Sequence, residues 1–110
     1  VPVVVFSDDL DWCREHFTDD RFVLPTENLK YSHTADTNDG RVQSFVPYYD
    51  LCMMSLCSGA IIANSSMSWW GAWLQNGRGK VIAPKPWFGP RYNDYDMSDL
   101  LPESWIEMEV

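Results

Sequence analysis

The sequence has few basic residues for its length. Its 110 residues include 8 Lys and Arg side chains against 16 Asp and Glu side chains, which gives a formal net charge of −8. Proteins that bind nucleic acids do so largely by replacing the counterions of the phosphate backbone with lysine and arginine. The shortage of basic residues therefore argues against nucleic acid as a partner.

Cysteines and long apolar runs are also scarce. The three cysteines, Cys13, Cys52 and Cys57, form no CxxC pair and fit neither a disulfide framework nor a zinc site, so we interpret them as buried small side chains. The longest apolar stretches, residues 1–6 and 59–63, are far shorter than the roughly 20 residues of a membrane-spanning helix. The sequence also has no glycine-rich dinucleotide fingerprint and no Walker lysine.

Apolar residues are plentiful, at 45% of the chain, which excludes a disordered segment and suits one small domain. The chain has no initiating methionine, and its first residues enter a hydrophobic run without the basic region of a signal peptide. We therefore expect these residues to be part of a longer protein.

Strands and helices are predicted to alternate along the chain. β-Branched and apolar runs that stop at polar residues or proline predict four strands, at residues 3–6, 21–24, 59–63 and 80–83. Helices are predicted at residues 10–17 and 45–57, and from the serines at 65–66 to Asn76 and Gly77. The helix at 45–57 is apolar nearly all round and should be buried. A surface loop is predicted at 26–40, and a short helix near 96–101.

This alternation predicts an α/β fold with a parallel sheet, right-handed crossovers and helices on both faces. Ligands of such sheets bind beyond the carboxyl ends of the strands. Two predicted strands end in polar residues, Ser7-Asp8-Asp9 and Asn64-Ser65-Ser66. These two turns are the candidate sites.

The turn at Asn64, Ser65 and Ser66 allows two interpretations. The backbone N–H groups at a helix N-terminus, together with the positive end of the helix dipole, can bind an anion such as phosphate, with serine hydroxyls as further donors. Alternatively, Ser65 or Ser66 only caps the helix. In the same helix, Trp69 and Trp73 lie one turn apart, where packing is favoured over a platform for a sugar.

Asp50 is the only charged residue between Pro47 and Cys57, in a helix that reads as buried. A buried carboxylate needs a partner, and no Lys or Arg lies within one helical turn. A ligand with two parallel N–H donors, such as the Watson–Crick edge of guanine, would satisfy it. The alternative is that Asp50 faces solvent. The sequence favours neither interpretation.

Asp9, Leu10 and Asp11 form a DxD triplet, the carboxylate pair with which some nucleotide-sugar enzymes hold a divalent ion. Capping by Asp9, with acids favoured at the helix N-terminus, explains the triplet equally well. We therefore predict no metal site here.

Residues 63–74, ANSSMSWWGAWL, resemble the third signature of the α-1,2-fucosyltransferase family, A-N-S-[ST]-F-S-W-W-G-A-x-L. The flanking segments are similar to those of the same family: FSDD at residues 6–9 with Trp12, VIAP at 81–84 with Trp87, and LP at 101–102 with Trp105. The resemblance covers nearly the whole chain.

The resemblance implies a GT-B-like glycosyltransferase, of the kind that serves carbohydrate metabolism and protein glycosylation. Such an enzyme transfers L-fucose from GDP-fucose, with inversion, to form an α-1,2 linkage to a galactose-containing glycan, and needs no metal or other cofactor. Residues 1–110 would then be the C-terminal, donor-binding part of its Rossmann-like domain. The rest of the enzyme would lie upstream, and any membrane attachment would lie outside these residues.

Family roles fall on particular residues. The resemblance assigns guanine binding to Asp50 and phosphate binding to Ser66, with Ser65 and Ser68 beside it. It places the carboxylates of Asp8 and Asp9 at the sugar end, as catalytic residues. The neighbours of this donor or acceptor site would be Asn64 and Trp69.

Two departures from the family pattern stand out. Met67 replaces the usual phenylalanine, a swap that adaptable methionine should tolerate. The family's H-x-R-R-G-D segment, whose arginine clamps the diphosphate, is not found in these residues and is expected upstream of Val1. We therefore expect weak binding or no activity from the fragment by itself.

Two alternatives stay open: a glycosyltransferase that uses another nucleotide sugar, and a non-catalytic nucleotide-sugar-binding or interaction module. The family implies the Golgi lumen for a eukaryotic member and the cytoplasm for a bacterial or viral one, so the sequence does not decide the compartment.

Overall fold

A computed structural model describes residues 1–24, 35–36, 42–43, 47–92 and 94–110. These residues divide into two compact units, Val1–Asp50 and Leu51–Val110. Most of the loop predicted at 26–40 lies outside the described residues.

The first unit begins with a strand, a helix and a strand, as predicted. Strand β1 (Val3–Val4) pairs in parallel with β2 (Phe22–Val23), and helix α1 (Leu10–His16) connects them. A continuous β-branched run such as that at residues 3–6 predicts a strand buried on both faces, and this is wrong here, because Val3 and Val4 are both exposed. Among the described residues this ladder has only two strands, so nothing in it covers β1 from both sides.

Two elements correct the prediction further along this unit. Strands β3 (Ala35–Asp36) and β4 (Val42–Gln43) form an antiparallel pair, and β3 falls inside the predicted loop. Helix α2 (Pro47–Leu56) begins in this unit and continues into the second, and its first residue is Pro47, as proline's fixed φ favours. The expected burial of α2 is wrong: Asp50 and Met54 are buried, but Tyr48 and Leu56 are exposed.

The cysteines are only partly as expected. Cys13 is buried on α1, Cys57 is half-buried and Cys52 is exposed, and all three are free thiols. Packing therefore accounts for Cys13 alone, because α2 turns Cys52 towards solvent.

The second unit contains a three-stranded parallel sheet. Strands β5 (Ala60–Ile61), β6 (Val81–Lys85) and β7 (Ile106–Glu109) are arranged in the order β5-β6-β7, and helix α3 (Ser66–Trp73) connects β5 to β6. The core lies between sheet and helix, and it consists of Ile62, Ala72, Val81 and Ala83 with Trp87, Leu101 and Trp105 packed against them.

Strand β6 continues past the predicted stop at Pro84. Its ladder with β5 ends at Ile82, so Pro84 has a strand neighbour only in β7 and its missing N–H is tolerated as at a sheet edge. Strand β7 was not predicted. The helix predicted at 96–101 is wrong, since that segment consists of turns and bends, and a 3-10 turn lies upstream of it at Pro90–Tyr92.

Two glycines shape the start of β6. The helix predicted to reach Asn76 ends earlier, at Trp73, and a turn follows it. In that turn Asn76 and Gly77 have φ +57° and +73°, so the left-handed conformation predicted for Gly77 is confirmed. Gly79 allows a close approach of two chain segments, because any Cβ there would overlap the carbonyl group of Ser58.

Of the helices in the described part of the chain, none has the length and apolar character needed to cross a membrane.

Candidate functional site

Residues 64–68, the serine turn, follow β5 at the carboxyl end of the parallel sheet and include the first three residues of α3. Ser65 has an extended backbone, with φ −126° and ψ 134°, and its Oγ accepts a hydrogen bond from the N–H of Ser68 at 3.4 Å. Its carbonyl oxygen accepts from the N–H of Trp69 at 2.9 Å. Ser65 is therefore the N-cap of α3, as one of the two interpretations predicted.

Capping leaves donors at this helix end for a ligand. The first N–H groups of a helix have no acceptor within the helix, and here they belong to Ser66 and Met67. The first turn of α3 carries no acidic side chain, and Ser66 is exposed. An anion would thus meet a positive helix end with no competing carboxylate on its first turn, and phosphate binding by Ser65, Ser66 and Ser68 stays a prediction.

Asn64 and Trp69 hold the surrounding chain in place. The side-chain Nδ2 of Asn64 donates to the carbonyl of Trp87 at 3.1 Å, and Nε1 of Trp69 donates to the carbonyl of Leu100 at 2.9 Å. Trp69 also lies parallel to Trp73, with ring centroids 6.3 Å apart. These contacts show that Trp69 packs within the fold, and they fix the segments on either side of the serine turn.

A buried glutamine supports α3 from its C-terminal side. Gln75 is 2% exposed, and its Nε2 donates to the carbonyl of Met54 at 2.8 Å and to that of Gly59 at 3.3 Å. Gly71 packs directly on Met54, whose Cβ would lie 2.9 Å from a Cβ added at the glycine. The C-terminal ends of α2 and α3 and the start of β5 are thus joined through one amide.

The acidic turn before α1 is built differently. Oδ1 of Asp9 accepts from the N–H of Trp12 at 3.0 Å, and the N–H of Asp9 donates to Oγ of Ser7 at 3.0 Å. Asp11 pairs with Arg14 at 2.7 Å. Among the described residues no group of three His, Cys, Asp or Glu side chains could hold a metal ion. Capping and a surface ion pair therefore account for the DxD triplet, and Asp8 beside it is exposed.

Asp50 lies in the first turn of α2 and is 1% exposed. The alternative in which it faces solvent is therefore wrong, and the interpretation as a buried carboxylate is confirmed. Its assignment to guanine remains a prediction. The structure brings together Asn64, Ser65, Ser66, Ser68 and Trp69 in the second unit, whereas Asp8, Asp9 and Asp50 belong to the first.

A cavity of about 240 Å³, which the sequence does not predict, lies at the carboxyl end of β6. Its walls include Trp87, Phe88, Tyr92 and Tyr95, and its charged side chains are Lys85 and Glu107. The concentration of prolines and aromatic rings at residues 84–95 was the available signal. This segment has neither helical nor strand periodicity, so its sequence predicts only an irregular tail.

Parallel strands connected by helices place the described residues in the class of α/β proteins. The chain belongs to the family described as Glycosyl transferase family 11, whose model matches residues 1–109. This match confirms the resemblance found in the sequence.

Two curated relatives come from Escherichia coli. An alpha-1,2-colitosyltransferase is 38% identical over 108 residues, which is 96% of this chain and 32% of the relative. The O-antigen biosynthesis glycosyltransferase WbnK is 33% identical over 107 residues, which is 96% of this chain and 30% of the relative. The chain therefore spans about a third of the length of these relatives. No solved structure matches it significantly.

Proposed function

We propose that the protein is a glycosyltransferase that transfers L-fucose from GDP-fucose to a galactose-containing glycan, forming an α-1,2 linkage with inversion. Membership of the family over residues 1–109 supports this proposal. The observation that carries it is the serine turn, a neutral-capped helix N-terminus at the carboxyl end of a parallel sheet.

In this proposal the serine turn binds the diphosphate. The hydroxyls of Ser65, Ser66 and Ser68 and the N–H groups of Ser66 and Met67 are donors, and the helix dipole favours the negative charge that develops on the departing GDP. The described part of the turn contains no basic side chain, so we expect a cation from the upstream H-x-R-R-G-D segment to complete the site. We propose that neither a metal nor another cofactor takes part.

The carboxylates have separate proposed roles. Asp50, buried in α2, would accept two N–H groups from the Watson–Crick edge of guanine. Asp8 and Asp9 would lie at the sugar end. Asp8 is the better candidate for the base that accepts the proton of the acceptor hydroxyl, because Oδ1 of Asp9 already accepts from Trp12.

Titration of the full-length protein with GDP and ADP by calorimetry tests this proposal. GDP should bind and ADP should bind more weakly, because adenine presents a different pattern of donors and acceptors to Asp50. Asp50→Ala should weaken GDP binding by about 1–3 kcal/mol and leave ADP binding nearly unchanged. Asp19→Ala, which removes an exposed carboxylate, is the control. Equal affinity for GDP and ADP in the unaltered protein contradicts the guanine assignment.

A different donor sugar is the second candidate. It is favoured by the 38% identity to a relative named as an alpha-1,2-colitosyltransferase. Transfer assays with GDP-fucose, GDP-mannose, UDP-galactose and nucleotide-linked colitose, each with and without EDTA, separate the candidates. Binding of GDP without turnover of any donor would favour the non-catalytic module instead.

A further inference from the structure

The cavity at the carboxyl end of β6 has an aromatic wall that the functional assignments above do not use. Phe88, Tyr92 and Tyr95 form a continuous row, with ring centroids 5.2 Å and 5.4 Å apart. All three rings are exposed, and Tyr95 is the most exposed at 63%. Their exposure leaves ring surface available to a ligand.

The two charged side chains of the cavity balance each other. Nζ of Lys85 lies 3.7 Å from Oε2 of Glu107, and both side chains are about half exposed. Because the two charges cancel, the cavity does not favour an anion such as phosphate. An ammonium group and a carboxylate together supply both donors and acceptors for the hydroxyl groups of a neutral ligand.

The cavity also adjoins the serine turn. Trp87 and Leu100 line it, and these are the residues whose carbonyls accept hydrogen bonds from Asn64 and Trp69. The cavity and the turn therefore share the carboxyl edge of one sheet, within one compact unit. A ligand part bound in the cavity would lie beside a phosphate bound at the turn.

We infer that this cavity binds the pyranose ring of a sugar substrate, an inference that rests on the proposed glycosyl transfer. At about 240 Å³ it is smaller than the roughly 300–1,000 Å³ of sites for drug-sized ligands, so it suits one ring and not a whole nucleotide sugar. The C–H face of a pyranose stacks on the negative faces of aromatic rings, while its hydroxyls reach Lys85 and Glu107.

Steady-state kinetics of the full-length enzyme provide the first test, with Tyr95→Ala as the variant. The exposed ring can be removed without opening the core. We expect a rise of about fivefold in the KM of one sugar substrate, with the affinity for GDP unchanged. A rise confined to the donor assigns the cavity to the donor sugar, and a rise confined to the acceptor assigns it to the acceptor glycan.

Two further variants give matched controls. Tyr95→Phe keeps the ring and should behave like the unaltered enzyme. Tyr48→Ala removes another exposed tyrosine, paired with Tyr49 at 4.9 Å on α2, and should change neither KM. Unchanged KM values in Tyr95→Ala overturn the inference. So does an equal loss in Tyr95→Phe, or a loss of GDP affinity in Tyr95→Ala, which would show that the cavity binds the base.

A binding measurement separates this inference from the proposed function. Saturation-transfer NMR with L-fucose and with methyl β-D-galactoside, in the presence of GDP, detects ring binding without turnover. A signal lost in Tyr95→Ala and kept in Tyr95→Phe supports the cavity even if no transfer is measured, in which case only the transfer proposal fails. No signal from either sugar with an active enzyme overturns the cavity assignment.

Discussion

The chain contains two strand–turn–helix segments that share one design but differ in the charge of the capping residue. Asp9 caps α1 after β1, and Ser65 caps α3 after β5. At α1 the protein's own carboxylate occupies the positive helix end, with an N–H···O distance of 3.0 Å. At α3 a neutral hydroxyl makes a longer contact of 3.4 Å. The carboxylate of Asp9 supplies the negative charge that the N-terminus of α1 favours. The neutral Ser65 leaves the N-terminus of α3 attractive to an external anion.

The two segments also differ in how they are supported. Near α1 the aromatic contacts are local: Trp12 stacks on His16 with centroids 3.8 Å apart. Around α3 the contacts reach across the sequence, through the amide of Gln75 and the indole of Trp69. The segment proposed to bind the diphosphate is therefore the one whose geometry is fixed by distant parts of its unit, as a preorganised site requires.

The largest expected effect is that of Gln75→Ala. It removes the amide that joins Met54 and Gly59 and leaves their carbonyls without this donor in a buried place. We expect the free energy of unfolding to fall by about 2–4 kcal/mol, measured by urea denaturation of the full-length protein. Asn76→Gly, at the neighbouring exposed position with φ +57°, should change it little. Equal effects of the two variants would show that the amide gives no long-range support.

Ser65→Asp should give the second largest effect, because it makes the α3 turn resemble the α1 turn. Aspartate caps helices as well as serine does, so stability should be kept. The added carboxylate should repel the diphosphate and weaken GDP binding about tenfold or more. Calorimetry with GDP and urea denaturation measure the two quantities. Unchanged GDP affinity would contradict the proposed importance of the neutral cap.

Asp9→Ala tests the other side of the comparison. Loss of the cap to Trp12 should lower the free energy of unfolding by about 1 kcal/mol. Asp8→Ala, which leaves this cap intact, should have a smaller effect on stability. A larger loss from Asp8 than from Asp9 would mean that the acidic turn is stabilised in some other way than by capping.

The smallest effect is expected at the exposed pair Asp19 and Arg21. Hydrogen bonds from the Arg21 side chain and then from its backbone N–H lower the pKa of Asp19. The pair therefore contributes to stability above the ordinary pKa of aspartate and loses that contribution as the pH falls through the lowered pKa. Arg21→Ala should raise this pKa towards its ordinary value without restoring it fully, because the backbone donor remains. NMR titration of the Asp19 carboxyl measures the change, with Arg14→Ala as the control.

Local chemistry made the turns predictable. Ser65 and Asp9 are good caps by side-chain type alone, and Gly77 suits a left-handed backbone, so these features are predictable from sequence, whereas the end of α3 at Trp73 is not. Strand β7 was not predicted either, because its apolar–acidic alternation covers only four residues, too few to establish a period, and pairing with β6 is what defines them as a strand. The aromatic cavity was missed because its rings meet through irregular chain with no period to read. The sequence does not decide whether Asp50 is buried or faces solvent, because its burial depends on the tertiary fold.

Strand β7 has one further consequence, for behaviour at high concentration. In the described part of the chain its only strand neighbour is β6, and all four of its residues are exposed. An exposed sheet edge is a template for pairing with a second molecule. The carboxylates of Glu107 and Glu109 alternate with Ile106 and Met108 along it, so a second copy laid alongside would meet like charge. This protection against aggregation is electrostatic, and salt weakens it.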